Sequence, residues 1–161
     1  MGGSASLPAR MEAPLEIRKI LVPLDFSEHS MKALATATDL AKKFGARIVL
    51  LHAYSASSYI GLSEQVVVPP DFFEMVHMAA ARSLGKAAEK ASAAGVPVET
   101  RLSELPPAEA IVGTAHDLDI DLIVMCTRGL SGLKHLLLGS VAERTLRLAP
   151  CPVLALKADG E

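Results

Sequence analysis

The segment from Asp121 to Leu156 limits what this chain can fold into more than any other stretch. Leu122, Ile123, Val124 and Met125 form an unbroken apolar run, the pattern of a parallel strand buried on both faces. A loop from Thr127 to Leu138 carries Arg128, Gly129 and Gly132, and Gly139 with Ser140 then opens a helix. A further apolar strand, Val153 to Leu156, closes the segment. This order aims the unpaired N–H groups and the positive end of the helix at the carboxyl edge of a sheet, where an anion is favoured. The segment is therefore a phosphate-site candidate.

The rest of the chain supplies the same alternation. Met1 to Glu16 is rich in small residues and proline without apolar periodicity, and reads as a mobile tail ahead of a domain spanning residues 17–158. Ile20, Leu21, Val22 and Leu24 make a first strand, ended by Pro23. Ser27 is placed to cap a helix whose apolar face is Met31, Leu34, Ala37, Ala41 and Phe44, with Lys42, Lys43 and Gly45 as stop signals. Ala46 to Tyr54 is a second strand, and Ser55 to Pro70 is long for a connection, which suits a flap or a subunit contact. A helix from Asp71 to about Ala94 follows, with Met75 and Met78 on its apolar side or at a subunit contact. Val96 to Leu102 alternates as a strand nearer the sheet edge, and Pro106 and Pro107 open a helix to Leu118. Strands alternating with helices imply right-handed crossovers and a doubly wound parallel α/β sheet covered on both faces. Ligands bind such sheets at the carboxyl ends of the strands, which sets the loop from Pro23 to Ser27 beside Met125 to Ser140.

Composition narrows the partners. At 161 residues the chain can bury roughly 70% of its extended surface in one domain, without disulfides or a structural metal. It is 50% hydrophobic but only 4% aromatic, which suits an aliphatic core and offers few base-stacking platforms. A formal charge of -2 and no long basic run leave little to attract nucleic acid or an anionic membrane. No apolar stretch reaches the ~18 residues that span a bilayer. Cys126 and Cys151 lie in or beside apolar strands as small reduced hydrophobes, which fits a cytoplasmic protein.

With those residues in view, KILVPLDFSEHS, IVLLHA and DLIVMCTRGLSGLKHLLLGSVAERTLRLAPCPVLAL closely resemble the universal stress protein family, from Lys19 to Leu156. The resemblance implies a five-stranded, Rossmann-like parallel sheet of the adenine nucleotide alpha hydrolase-like type, strand order 3-2-1-4-5. The family's nucleotide pattern is a Gly, two residues, a second Gly, nine residues, then Gly with Ser or Thr. Here Cys126 stands first, Gly129 second, and Gly139 with Ser140 last. The resemblance implies ATP, or a related adenine nucleotide, with adenine against Ala53 and the adenosine bordered by Pro23, Leu24 and Asp25. Its phosphates would run along Arg128, Gly129, Gly139, Ser140, Val141 and Ala142, with Met125 and Cys126 beneath and Mg²⁺ as a possible companion. The residue chemistry agrees: Gly129 and Gly139 let backbone approach an oxygen, and Arg128 offers a planar fork of donors.

Plainer readings stand beside these. Ser140 and Glu143 have capping-box spacing, so Gly139-Ser140 reads equally as a well-made helix start, and Glu143 would repel phosphate. A residue at position 126 that required positive φ would cost about 1–2 kcal/mol, a weakening of five- to thirtyfold. A thiol protruding into the ribose volume would close the pocket. Asp25 is a ligand contact or an Asx-type loop stabiliser, and His52 reads as a hydrogen-bonded core histidine. The remaining histidines show no metal spacing, and Asp117, Asp119 and Asp121 fail as a calcium loop because Leu122 and Arg128 occupy the positions that need Gly and Glu. No Gly-Lys-Ser/Thr loop or nucleophile elbow is present, so the expectation is a sensor with at most slow hydrolysis, Asp25 being nearest to orient it. The alternative is a nucleotide-free dimeric interaction module; adenylyl transfer rests on fold analogy alone. The last strand, Pro152 to Leu156, would expose a sticky edge, so a homodimer covering it is expected.

Overall fold

A computed structural model describes residues 16–54, 69–128 and 138–157. The expectations for the tail, for Ser55 to Val68 and for residues 129–137, with Gly129 and Gly132, fall outside them. Five parallel strands, β1 (Lys19–Pro23), β2 (Arg47–Ala53), β3 (Val98–Ser103), β4 (Leu122–Cys126) and β5 (Val153–Leu156), lie in the order β3-β2-β1-β4-β5. Helices α1 (Glu28–Phe44), α2 (Phe72–Ala93), α3 (Pro107–Asp117) and α4 (Ser140–Leu148) alternate with them.

The alternation of strand side chains divides the core in two. Ile20, Val22, Ile48, Leu50, Leu122 and Val124 meet Leu34, Ala37, Leu84 and Ala87 of α1 and α2. On the other face Leu21, Val49, Leu51, Ile123 and Met125 meet Ala110, Ile111, Ala115 and Ala142 of α3 and α4. All five β4 residues are buried, as the unbroken apolar run required, whereas β3 and β5 at the edges are only partly covered.

Local signals explain the ends. Ser27 caps α1 by accepting from the Ser30 amide at 3.1 Å, and Gly45 takes the left-handed φ of 66° that ends the helix. Asp121 ties the starts of two strands together: its Oδ2 accepts the Arg18 and Lys19 amides, each at 2.9 Å. That fits a strand-start role for this aspartate. One side-chain expectation is corrected, and for another only the subunit-contact alternative is left. Phe44, the last helical residue before the Gly45 cap, is 49% exposed and not part of the α1 core face. Met75 and Met78 are 60% and 54% exposed; burial along α2 begins at Ala80 and recurs at Leu84, Ala87 and Ala91, so its first two turns stand clear of the described core.

Candidate functional site

β1 and β4 are neighbours in the sheet, but their chains leave it in different directions: β1 feeds α1 on one face, and the chain after β4 leads to α4 on the other. A cleft must open at this switch point. A cavity of about 270 Å³ occupies it, lined by Pro23, Leu24, Asp25, Ser30, Leu51 and Ala53, by Pro107 and Ile111, and by Met125 to Arg128 with Gly139 to Ala142. Every site residue expected from the sequence that falls among the described residues lines this cavity; Gly129 lies outside them. Ser30, Leu51, Pro107, Ile111 and Thr127 line it too and were not foreseen. A signal for three of them existed, since every crossover helix of a parallel sheet starts at the carboxyl edge, so the first turns of α1 and α3 had to border the cleft.

The start of α4 is built for an anion. Gly139 is the N-cap, and its amide donates to the Thr127 carbonyl at 2.7 Å. A Cβ there would sit 3.1 Å from the same oxygen, so the approach favours glycine on space rather than on φ, which is an ordinary -75°. Ser140 is the first helical residue and makes no capping bond, so the capping box expected for Ser140 and Glu143 does not form. The chain reaches the helix through Gly139 one residue earlier, which leaves the Ser140 hydroxyl past the capping position. No acceptor among the described residues meets the amides of Ser140, Val141 or Ala142. Three N–H groups and the positive end of the helix thus face the cavity, with Arg128 in its wall. Glu143 is not in that wall; its carboxylate lies 3.9 Å from Arg147 on the helix exterior.

The opposite wall ends in β2. In a parallel pair alternate residues turn both backbone groups toward one neighbour. Arg47 and Leu51 bond to β1, through Arg47 N–H to Arg18 O at 2.9 Å and Leu24 N–H to Leu51 O at 2.8 Å, whereas Ile48 and Tyr54 bond toward β3. Ala53 therefore faces the β1 side, where β1 has already ended, and its amide finds no acceptor among the described residues. One donor and one acceptor of backbone point into the cleft there, beside apolar Leu51, Ile111 and Met125.

Cys126 does not plug the cavity. It is an extended β4 residue, and Phe26 and Asp119 are the non-glycine residues of positive φ among those described, so no backbone penalty arises at 126. Strand alternation sends its side chain to the α1 face, where Sγ–H donates to the His29 carbonyl at 2.7 Å. Asp25 acts as an Asx-type stabiliser through Oδ1, which accepts from the Ser27 amide at 3.0 Å and the Ser27 hydroxyl at 2.6 Å, and it borders the cavity as well. Half-buried His52 is hydrogen-bonded as expected, its Nδ1–H donating to the Leu24 carbonyl at 2.7 Å. Beyond the cavity, the Tyr54 hydroxyl lies 2.6 Å from His77 Nδ1 and donates to Glu104 at 3.1 Å. Burial first, then Glu104, raises the Tyr54 phenol above its usual range. Cys151 is raised likewise, by burial and then by Asp121. Among the described residues no group of three or more His, Cys, Asp or Glu is placed to hold a metal, and no helix is long and apolar enough to cross a membrane.

The model of the universal stress protein family matches residues 16–157. Universal stress protein MJ0531 of Methanocaldococcus jannaschii is 36% identical over 144 residues, covering 87% of this chain and 82% of that protein. Among solved structures, hypothetical protein MJ0577 superposes with a TM-score of 0.80 at 27% identity, covering 91% of this chain and 99% of that one. A universal stress protein in complex with cAMP gives 0.66 at 25% identity, covering 88% and 98%.

Proposed function

Because the chain belongs to the universal stress protein family, we propose that its switch-point cavity binds ATP or a related adenine nucleotide, and that occupancy regulates how the protein meets its partners. One observation carries this reading: unpaired backbone groups converge on one cleft from both sides, Ala53 from β2 and Ser140 to Ala142 from α4. The first pair suits the polar edge of a purine lying on Leu51, Ile111 and Met125. The helix start suits phosphate oxygens, which are acceptors and carry the charge the dipole favours. The related structure that holds cAMP supports an adenine nucleotide in such a fold.

The cavity of about 270 Å³ is just under the usual 300–1,000 Å³ of small-molecule clefts, so it suits the adenosine half, with phosphates running along α4 toward Arg128. Ala53, Leu24 and Pro23 would hold the nucleoside, Asp25 would border its ribose, and Gly139 to Ala142 would hold the phosphates. Mg²⁺ would arrive with the nucleotide. The reading extends to a cytoplasmic protein working as a homodimer through β5, with nucleotide turnover no faster than slow hydrolysis.

Equilibrium dialysis with ATP, with GTP and cAMP as competitors, tests the proposal. Saturable ATP binding that cAMP reduces more than GTP supports it. An absence of measurable uptake would leave the nucleotide-free interaction module.

A further inference from the structure

The ladder between β1 and β2 stops one rung early, and the group that should have made the next rung is held elsewhere. Its bonds advance two residues at a time and reach Leu24 N–H to Leu51 O. The same step makes Ala53 N–H to Leu24 O the next bond. That bond is absent, and the Leu24 carbonyl accepts from Nδ1 of His52 at 2.7 Å instead. The carbonyl needs a proton, so Nδ1 carries it and the tautomer is fixed.

The geometry around this bond is over-determined. The His52 side chain leaves the sheet on the same face as Ile48 and Leu50, so a carbonyl that reaches its ring has turned out of the sheet plane. Phe26, two residues on, takes a φ of 63°, and its ring lies 4.5 Å from the His52 ring. A phenylalanine held in the left-handed region costs free energy that its surroundings must offset. The tilted ring contact, the Leu24 bond and the Asp25–Ser27 turn together hold this loop in place.

We propose that His52 is a positioning residue: by holding the Leu24 carbonyl out of the sheet it keeps the Ala53 amide unpaired and directed into the cleft, where it donates to a ring nitrogen of a purine. The purine contact rests on the adenine nucleotide reading above, whereas the diversion of the carbonyl does not. An amide left open in the free protein needs no rearrangement to meet a ligand, which favours affinity.

The test uses the full chain with His52→Phe, which keeps a ring against Phe26 but no donor, and His52→Asn, which replaces the Nδ1 donor by an amide. Hydrogen exchange at the Ala53 amide, followed by ¹⁵N NMR without nucleotide, reads the ladder directly. Fast exchange is expected in the wild type and His52→Asn, and at least about tenfold slower exchange in His52→Phe as Ala53 closes onto Leu24. ATP dialysis should show roughly three- to tenfold weaker binding for His52→Phe, the scale of one hydrogen bond, and recovery to within about twofold for His52→Asn. A protected Ala53 amide in the wild type overturns the proposal, and that result stands even if His52→Phe does not fold. Equal exchange, or equal ATP affinity, in wild type and His52→Phe also overturns it. A wild type that takes up no ATP removes the purine contact together with the adenine reading, while the exchange rates still decide what His52 holds.

Discussion

Cys126 lines the cavity, and which way β4 turns its side chain decides what the thiol costs there. Its side chain points to α1 and its thiol rests on the His29 carbonyl, away from the α4 start. Replacing Cys126 by Gly should therefore leave ATP affinity within about threefold, while loss of one partly buried hydrogen bond and added chain entropy lower stability by about 1–2 kcal/mol in urea unfolding. A large gain in affinity would show that the thiol does intrude. Gly139 is the opposite case, because the Thr127 oxygen leaves 3.1 Å for a Cβ. Gly139→Val should cost about 1–3 kcal/mol in stability and abolish tight ATP binding, since the α4 start must shift away from Thr127. Equal urea midpoints would contradict this.

Individual elements were legible to different degrees. The strands and their order followed from unbroken apolar runs and from the resemblance, and the ends of α1 from Ser27 and Gly45. Side-chain placement at element ends was not legible. Phe44 keeps the helical spacing yet stands past the edge of the core, and Met75 and Met78 belong to turns of α2 that precede its buried stripe. The capping box failed for a subtler reason: spacing does not reveal whether the chain enters the helix at Gly139 or at Ser140. Most of the cavity wall was readable because glycine, arginine and strand ends are local features. The role of His52 was not, since it depends on a carbonyl 28 residues away in sequence. The α1 cap carries its own prediction. Ser27 both caps the helix and holds Asp25 at the cavity rim, so Ser27→Ala should lower stability by about 1 kcal/mol and also weaken ATP binding. A loss of stability with unchanged binding would separate the cap from the site.

For the molecule as a whole, two titrating groups set an alkaline limit. The Cys151 thiol and the Tyr54 phenol are both raised in the folded state, chiefly by burial, so the fold binds their protons more tightly than the unfolded chain does. Their contribution to stability is complete below the ordinary thiol and phenol ranges and is lost as pH rises through the raised values. Urea midpoints should fall progressively above the ordinary thiol range, and Cys151→Ser should shift the onset of that fall upward. The edge strand β5, with Leu154 37% exposed, should be covered by a second copy, which sedimentation at micromolar concentration would reveal as a dimer mass. The central claim is more local than either: backbone amides from the two sides of the switch point meet one nucleotide. Titrating ¹⁵N-labelled protein with ATP and following the amide resonances tests it most directly. Saturable shifts largest at Ala53 and at Ser140, Val141 and Ala142 are predicted; saturation with those four amides unmoved, or no saturation at all, would contradict the account.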